Sequence, residues 1–369
     1  MGRSGCGREG ARRALAGEPV HPVPVAAFTW GFDYLWKVAE VAPWQLACGT
    51  QVDWHRANMA LLERHHPDLL FYEGCCGQTP PQLADETPDA WIVDVDGQSK
   101  RLDKTSLALT DAETGSRSCY PADVIQTRGD VDRLVPEFKG WHDSYLDGLS
   151  RMIHEVGDRA LVLPHHSPGY ICACYAFGFE EAMTAMLEEP DLFRYTCDRY
   201  AAGDVLRMQQ WREAGAEVCF IADSWASCDI ISPDMIEEFA LPYQRSITAA
   251  AHEVGLKIIL WNEGDILPIL EQEAAIPFDA FAFEQPRKGA QTTVDRARAV
   301  FGPDRCLFGN LDSELLLMRG DSSEIEAAVD EQLRHSGTDA PFILSTGSPL
   351  PSNIEPESVE TFIRAVRKD

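Results

Sequence analysis

Eight short runs of apolar and β-branched residues recur along this chain, and most are separated by longer segments with apolar residues at helical spacing. The runs are Val23–Phe28, Leu69–Tyr72, Ala160–Leu163, Val218–Ala222, Lys257–Leu260, Ala280–Phe283, Cys306–Phe308 and Phe342–Ser345. Runs of this length without strict alternation read as parallel strands buried on both faces. The segments between them, such as Met235-Ile236-Phe239-Ala240 and Ile266-Ile269-Leu270, carry the 3.6-residue period of helices packed on one side. Ser232-Pro233-Asp234 opens one helix with an N-cap hydroxyl, a proline in the first turn and an acid. Eight β-then-α units predict a closed (β/α)8 TIM-type barrel rather than an open sheet. With 369 residues, 45% of them hydrophobic, one barrel domain can absorb the whole chain, 1–369.

Two regions break the rhythm. Residues 1–15 read as a frayed tail, because Met1 to Arg13 is basic and Gly-rich and lacks the apolar stretch of a signal peptide. Residues 74–140 read as an insertion near the barrel mouth, with a β-hairpin around Trp91–Leu102 turning at Asp96-Gly97. Phe179–Ala214 reads as two helices. No apolar run approaches the roughly 18–20 residues of a membrane span, so a cytoplasmic protein without a membrane partner is expected. A net charge of -27 repels phosphate backbones, which argues against a nucleic-acid partner. The 11 cysteines include the dense spots Cys75-Cys76 and Cys172-Ala173-Cys174, neither with metal-type Cys-x-x-Cys spacing. They read as free, buried thiols.

Barrel enzymes keep their chemistry at the C-terminal ends of the strands. These strand assignments bring Thr29, Trp30, Asp33, Glu73, His165, His166, Asp223, Ser224, Trp225, Trp261, Asn262, Glu263, Asp265, Glu284, Gln285, Asn310, Asp312, Thr346 and Ser348 to one mouth. Strand ends are polar in any barrel because loops face water, but so full a set favours a working site. Asp223, Glu263 and Glu284 are the candidate acids. Glu263 and Glu284 also have Arg287 and Lys288 as possible ion-pair partners. Glu263 and Glu284 with His166 form the candidate ligand set for zinc or another divalent ion. His165 and His166 are adjacent, so at most one faces the site, and a lone histidine here serves packing as readily as binding. Trp30, Trp225 and Trp261 are the candidate walls for a flat or methylated substrate, ordinary packing being the alternative. Asn262, Asn310 and Ser348 complete the substrate-binding candidates, although Gly309-Asn310-Leu311-Asp312 equally suits a helix cap.

A series of motifs resembles the uroporphyrinogen decarboxylase superfamily. It comprises Ile231-Ser232-Pro233, Phe239-x-Leu241-Pro242-Tyr243, His252-x-x-Gly255-x-Lys257, Trp261-Asn262-Glu263-Gly264-Asp265, Gly309-Asn310-Leu311-Asp312 and Ser345-Thr346-Gly347-Ser348-Pro349. The resemblance is firm from about Gly215 onward. It is fainter at Ala14-Leu15-Ala16-Gly17-Glu18 and Val23-Pro24-Val25. It implies the barrel fold and two branches of activity. The porphyrinogen decarboxylases hold a polycarboxylate with arginines after the first strand. Here Ala26-Ala27-Phe28-Thr29-Trp30-Gly31-Phe32-Asp33 has no arginine, and Asp33 repels such a substrate.

The other branch moves methyl groups between small methylated compounds and the cobalt of a corrinoid (cobalamin) protein. Its thiol-methylating members hold zinc with His-x-Cys and a distant Cys, at positions that here carry Trp261, Glu263 and Ser348. The resemblance therefore implies a methyltransferase of the O-demethylase type. Its partners would be a small-molecule methyl donor, foremost an aromatic methyl ether, and a corrinoid protein. The rival expectations are a lyase or decarboxylase of another small acid and a non-catalytic ligand-binding barrel.

Overall fold

The computed structural model describes residues 6–73, 77–113, 115, 125–286, 292–337 and 339–367. Cys75, Cys76, Arg287 and Lys288 lie outside them. Strand β1 (Leu69–Tyr72) is followed by a small antiparallel sheet of β2 (Gln82–Glu86), β3 (Ala90–Val95), β4 (Gln98–Asp103) and β5 (Leu109–Asp111). Then come β6 (Leu161–His166), β7 (Val218–Ala222), β8 (Lys257–Asn262), β9 (Ala280–Phe283), β10 (Cys306–Phe308) and β11 (Phe342–Ile343). The order β1-β6-β7-β8-β9-β10-β11 makes one curled seven-stranded sheet, parallel throughout.

The first expected strand, Val23–Phe28, forms only isolated bridges. Val25 pairs with Leu344 and Ala26 with Leu69, so this segment touches both edges of the sheet. Ala26 N donates to Leu344 O at 2.9 Å, and Asp68 N donates to Val25 O at 2.8 Å. Pro22 and Pro24 have no N–H, which stops the ladder from extending toward the N-terminus.

Side chains alternate across the sheet. One face packs Phe28, Phe71, Leu163, Phe220, Ile259, Trp261 and Phe308 into an inner core. The other packs Val162, Ile221, Leu260, Phe281 and Leu307 against the helices. Residues 7–15 correct the expectation of a frayed tail. Gly7–Leu15 is a helix whose Ala11, Ala14 and Leu15 join the inner core beside Leu69, Leu161 and Val218, at the N-terminal ends of the strands. The i, i+3, i+4 spacing of these small apolar residues made a buried face that the basic flank obscured.

Phe179–Ala214 holds three helices rather than two: Phe179–Glu188, Pro190–Ala201 and Asp204–Glu213, interrupted at Pro190 and Gly203. The expected hairpin is β3–β4, with Trp91 opposite Leu102 and left-handed Asp96 and Gly97 at its turn. Val93, Val95 and Leu102 pack on Ala47, Cys48 and Phe32, which sets this sheet beside the Gly31–Tyr34 turn. Among the described residues no helix is long and apolar enough to cross a membrane.

Asp68 bolts the chain ends to the sheet. Its carboxylate accepts Gly7 N–H at 2.6 Å and Val25 N–H at 2.9 Å, and Arg367 stands 3.6 Å away. Asp68→Ala leaves the buried Val25 N–H and the part-buried Gly7 N–H without an acceptor. It should lower the unfolding free energy by about 3 kcal/mol in urea titration; a change within experimental error would contradict this role.

Candidate active site

A continuous arc of side chains lines the C-terminal rim on the inner face. Trp30 and Trp261 lie with ring centroids 6.0 Å apart, and the His165 ring meets Trp30 edge-on at 4.7 Å. Next to His165 is Glu73, whose carboxylate accepts the Gly31 N–H. Burial raises the Glu73 pKa, while the His165 charge and the Gly31 N–H oppose that rise. Asp33 follows. Burial, and then the charge of Glu73, push its carboxyl up to about 6. At the other end of the arc, Trp261 Nε1 donates to Gly347 O at 2.9 Å, and Ser348 Oγ donates to Glu284 Oε1 at 3.2 Å. Glu284 Oε2 accepts the Gly264 N–H at 2.9 Å. Glu263, half-buried, sits in the same turn. The arc thus sets an aromatic pair between two groups of carboxyls.

Alternation removes other candidates from this arc. His166 points into the helix layer, with its ring 6.3 Å from Trp141. Burial, then the Arg207 charge, hold its pKa well below 6.5. It shares no site with Glu263 and Glu284, so the expected three-residue metal set is not assembled. Among the described residues no group of three or more His, Cys, Asp or Glu is gathered as a metal centre requires. Asp223, expected as an acid, is fully buried and its carboxyl accepts Gln244 Nε2 at 2.9 Å. Asn262 faces the same way, donating to Glu273 Oε1 at 2.8 Å and to Ala226 O at 3.0 Å.

Trp225 packs on Tyr175 and Phe179 at 5.1 and 5.0 Å, so the expected three-tryptophan wall reduces to the Trp30–Trp261 pair. Asn310 is a strut. Its amide donates to Glu284 O and Thr292 O and accepts from Gln332 Nε2. Asp312 caps the following helical turn through the N–H groups of Glu314 and Leu315.

Sequence reasoning placed Asp33 and Glu73 at the rim, Asp33 only as a group that repels a polycarboxylate and Glu73 with no role, and it missed Glu273 and Gln244. A signal for Glu273 existed: it continues the apolar stripe Ile266, Ile269, Leu270 and therefore falls on the buried face of its helix.

A parallel α/β sheet with a polar, aromatic-walled C-terminal rim is the architecture of an enzyme site. The family described as "Uroporphyrinogen decarboxylase (URO-D)" matches residues 111–368, and the chain belongs to that family. Curated relatives include the uroporphyrinogen decarboxylase of Tolumonas auensis, 26% identical over 258 residues, which span 67% of this chain and 70% of the relative. The uroporphyrinogen decarboxylase of Dichelobacter nodosus is 31% identical over 196 residues, 53% of this chain and 50% of the relative. Among solved structures, a methyltransferase from Methanosarcina mazei shares the fold with a TM-score of 0.70, at 21% identity and 96% coverage of both chains.

The two outer-face acids make a pH prediction. Burial raises Asp223 to about 7 and Glu273 to about 8, against roughly 3.9 and 4.3 in an unfolded chain. A raised folded pKa adds stability that is complete below the unfolded value and is lost as pH rises through the folded one. Unfolding free energy should therefore fall between about pH 4 and pH 8, and Glu273→Gln should flatten the upper part of that slope. An unchanged slope in the variant would show that Glu273 ionises normally.

Proposed function

We propose that this protein is a methyltransferase. In this reading it moves a methyl group from a small methylated compound, foremost an aromatic methyl ether, to the Co(I) of a corrinoid protein. The carrying observation is the arc in which Trp30 and Trp261 stand between the carboxyls of Asp33 and Glu73 and those of Glu263 and Glu284. Within and beside it, Trp261, Glu263 and Ser348 stand where the family resemblance implies the zinc ligands of thiol-methylating members. The fold likeness to a methyltransferase supports the reading.

In this reading a corrinoid carried by a partner protein would be the co-substrate and would supply the two-electron nucleophile that takes the methyl. As the methyl–oxygen bond breaks, its electron pair stays on the oxygen. A phenolate leaves poorly without a proton. The chain's task is to hold the ring against the indole pair, exclude water and deliver that proton. Asp33 is suited to it, because burial beside Glu73 keeps its carboxyl protonated to about pH 6. Glu263 and Glu284 are the acids at the opposite end.

A zinc site does not fit these residues. The Trp261 indole N–H is a donor already bound to Gly347 O and offers no lone pair. Ser348 is engaged with Glu284, and His166 faces the helices. No step is assigned to a metal. Decarboxylation of a polycarboxylate is not favoured, since Asp33 and Glu73 stand where such a substrate needs cations.

Anaerobic mixing with Co(I) cobalamin and a pool of methyl ethers should give protein-dependent loss of the Co(I) spectrum with matching release of a phenol. No reaction, with a cognate corrinoid protein also failing, would favour a lyase or a binding protein. Once a donor is known, Asp33→Asn, Glu263→Gln and Glu284→Gln identify the acid. Its loss should lower kcat by roughly 10²–10⁴-fold; full activity in all three would remove acid catalysis from the account.

A further inference from the structure

We propose that Glu273, behind the sheet, is a positioning residue for the rim: through Asn262 it sets the Glu263–Gly264 turn and fastens that turn to the loop after β7. Glu273 is fully buried in the helix Leu270–Ala274. Its Oε1 accepts Asn262 Nδ2 at 2.8 Å, and Asn262 Oδ1 accepts the Glu263 N–H at 2.9 Å. Asn262 Nδ2 also donates to Ala226 O, in the loop that follows Asp223. One buried carboxyl is thus two hydrogen bonds from a candidate catalytic residue and two from the neighbouring loop.

The two loops are sewn together further out. Cys228 N donates to Asp265 O at 2.8 Å, and Asp265 N donates to Asp229 Oδ2 at 2.7 Å. Gly264 completes the seam. Its φ is +76°, and a Cβ there would lie 2.6 Å from Asp229 Oδ2 and from Ser227 Oγ. The Gly264 N–H in turn orients Glu284. A shift of Asn262 would therefore reach Glu263 and Glu284 together.

The protonation of the group follows from its surroundings. The titratable groups facing Glu273 are Asp223 at the end of β7 and Cys228 in the loop after it; the other neighbours are the amides of Asn262 and Gln244. Burial and the Asp223 charge hold the Glu273 proton to about pH 8. Among the described residues Glu273 Oε2, Gln244 Oε1 and Asp223 Oδ1 are buried acceptors with no hydrogen-bond partner, and a proton on Glu273 adds a donor to this corner. A neutral Glu273 has the hydrogen-bonding pattern of a glutamine, so Glu273→Gln should preserve the device. Glu273→Leu keeps the volume and removes the bonds.

The structural test is hydrogen–deuterium exchange of the full-length protein, read on peptides covering 223–229 and 262–266. It needs no substrate, so it stands or falls separately from the methyl-transfer reading on which the catalytic consequence rests. In Glu273→Leu both peptides should exchange about tenfold faster, while β1 and β6 keep their protection. Glu273→Gln should match the wild type near neutral pH. Above about pH 8 the wild-type peptides should gain exchange beyond the base-catalysed trend, and Glu273→Gln should not. With a donor identified, Glu273→Leu should lower kcat about tenfold with KM within about twofold, and Glu273→Gln should restore it. Unchanged exchange in Glu273→Leu, or a rise spread evenly over the chain, overturns the proposal. Should Glu273→Leu fail to fold, an alkaline rise in Glu273→Gln equal to that of the wild type overturns it.

Discussion

The two-residue repeat of side-chain direction along a parallel strand decides which polar residues at this rim share a cleft. Along β6 it sends His165 to Trp30 and His166 to Trp141. Along β7 and β8 it sends Asp223 and Asn262 into the helix layer, while Trp261 joins the inner core. Residues adjacent in sequence therefore belong to different environments. The inner face is walled by aromatic rings and lined at its rim by carboxyls. The outer face buries a second polar group, Asp223, Gln244, Asn262 and Glu273, among apolar helices.

Burial gives the two faces different electrostatics. Partial burial, and then the charge of Glu73, push the Asp33 carboxyl up to about 6 at the candidate rim. Burial pushes Asp223 up to about 7 and, with the Asp223 charge adding to it, Glu273 up to about 8. A protonated carboxyl at the rim is a proton donor to a ligand. The same group behind the sheet is a hydrogen-bonding brace. Position on the strand separates the two roles.

Much of the fold was legible because buried parallel strands are continuous apolar runs. Leu69–Tyr72, Val218–Ala222, Ala280–Phe283 and Cys306–Phe308 have the bounds that their composition predicts. Val23–Phe28 was over-read, since its prolines supply apolar character without ladder donors. The N-terminal helix was under-read, because its buried face consists of small residues beneath arginines. At the rim, alternation correctly allowed only one of His165 and His166 into the site. Applied to Asp223 and Asn262, the same rule would have placed both outside. Glu273 stayed hidden because it lies on a helix, where a glutamate ordinarily faces water, and its partners come from residues 223–262.

The central proposal is that this arc transfers a methyl group with carboxyls and indoles and without zinc. The most direct measurement is the metal content of active protein, taken with its methyl-transfer rate before and after treatment with a strong chelator. The account predicts well under one zinc per chain and an unchanged rate. One tightly held zinc per chain, with activity lost on its removal and regained on its return, would contradict it.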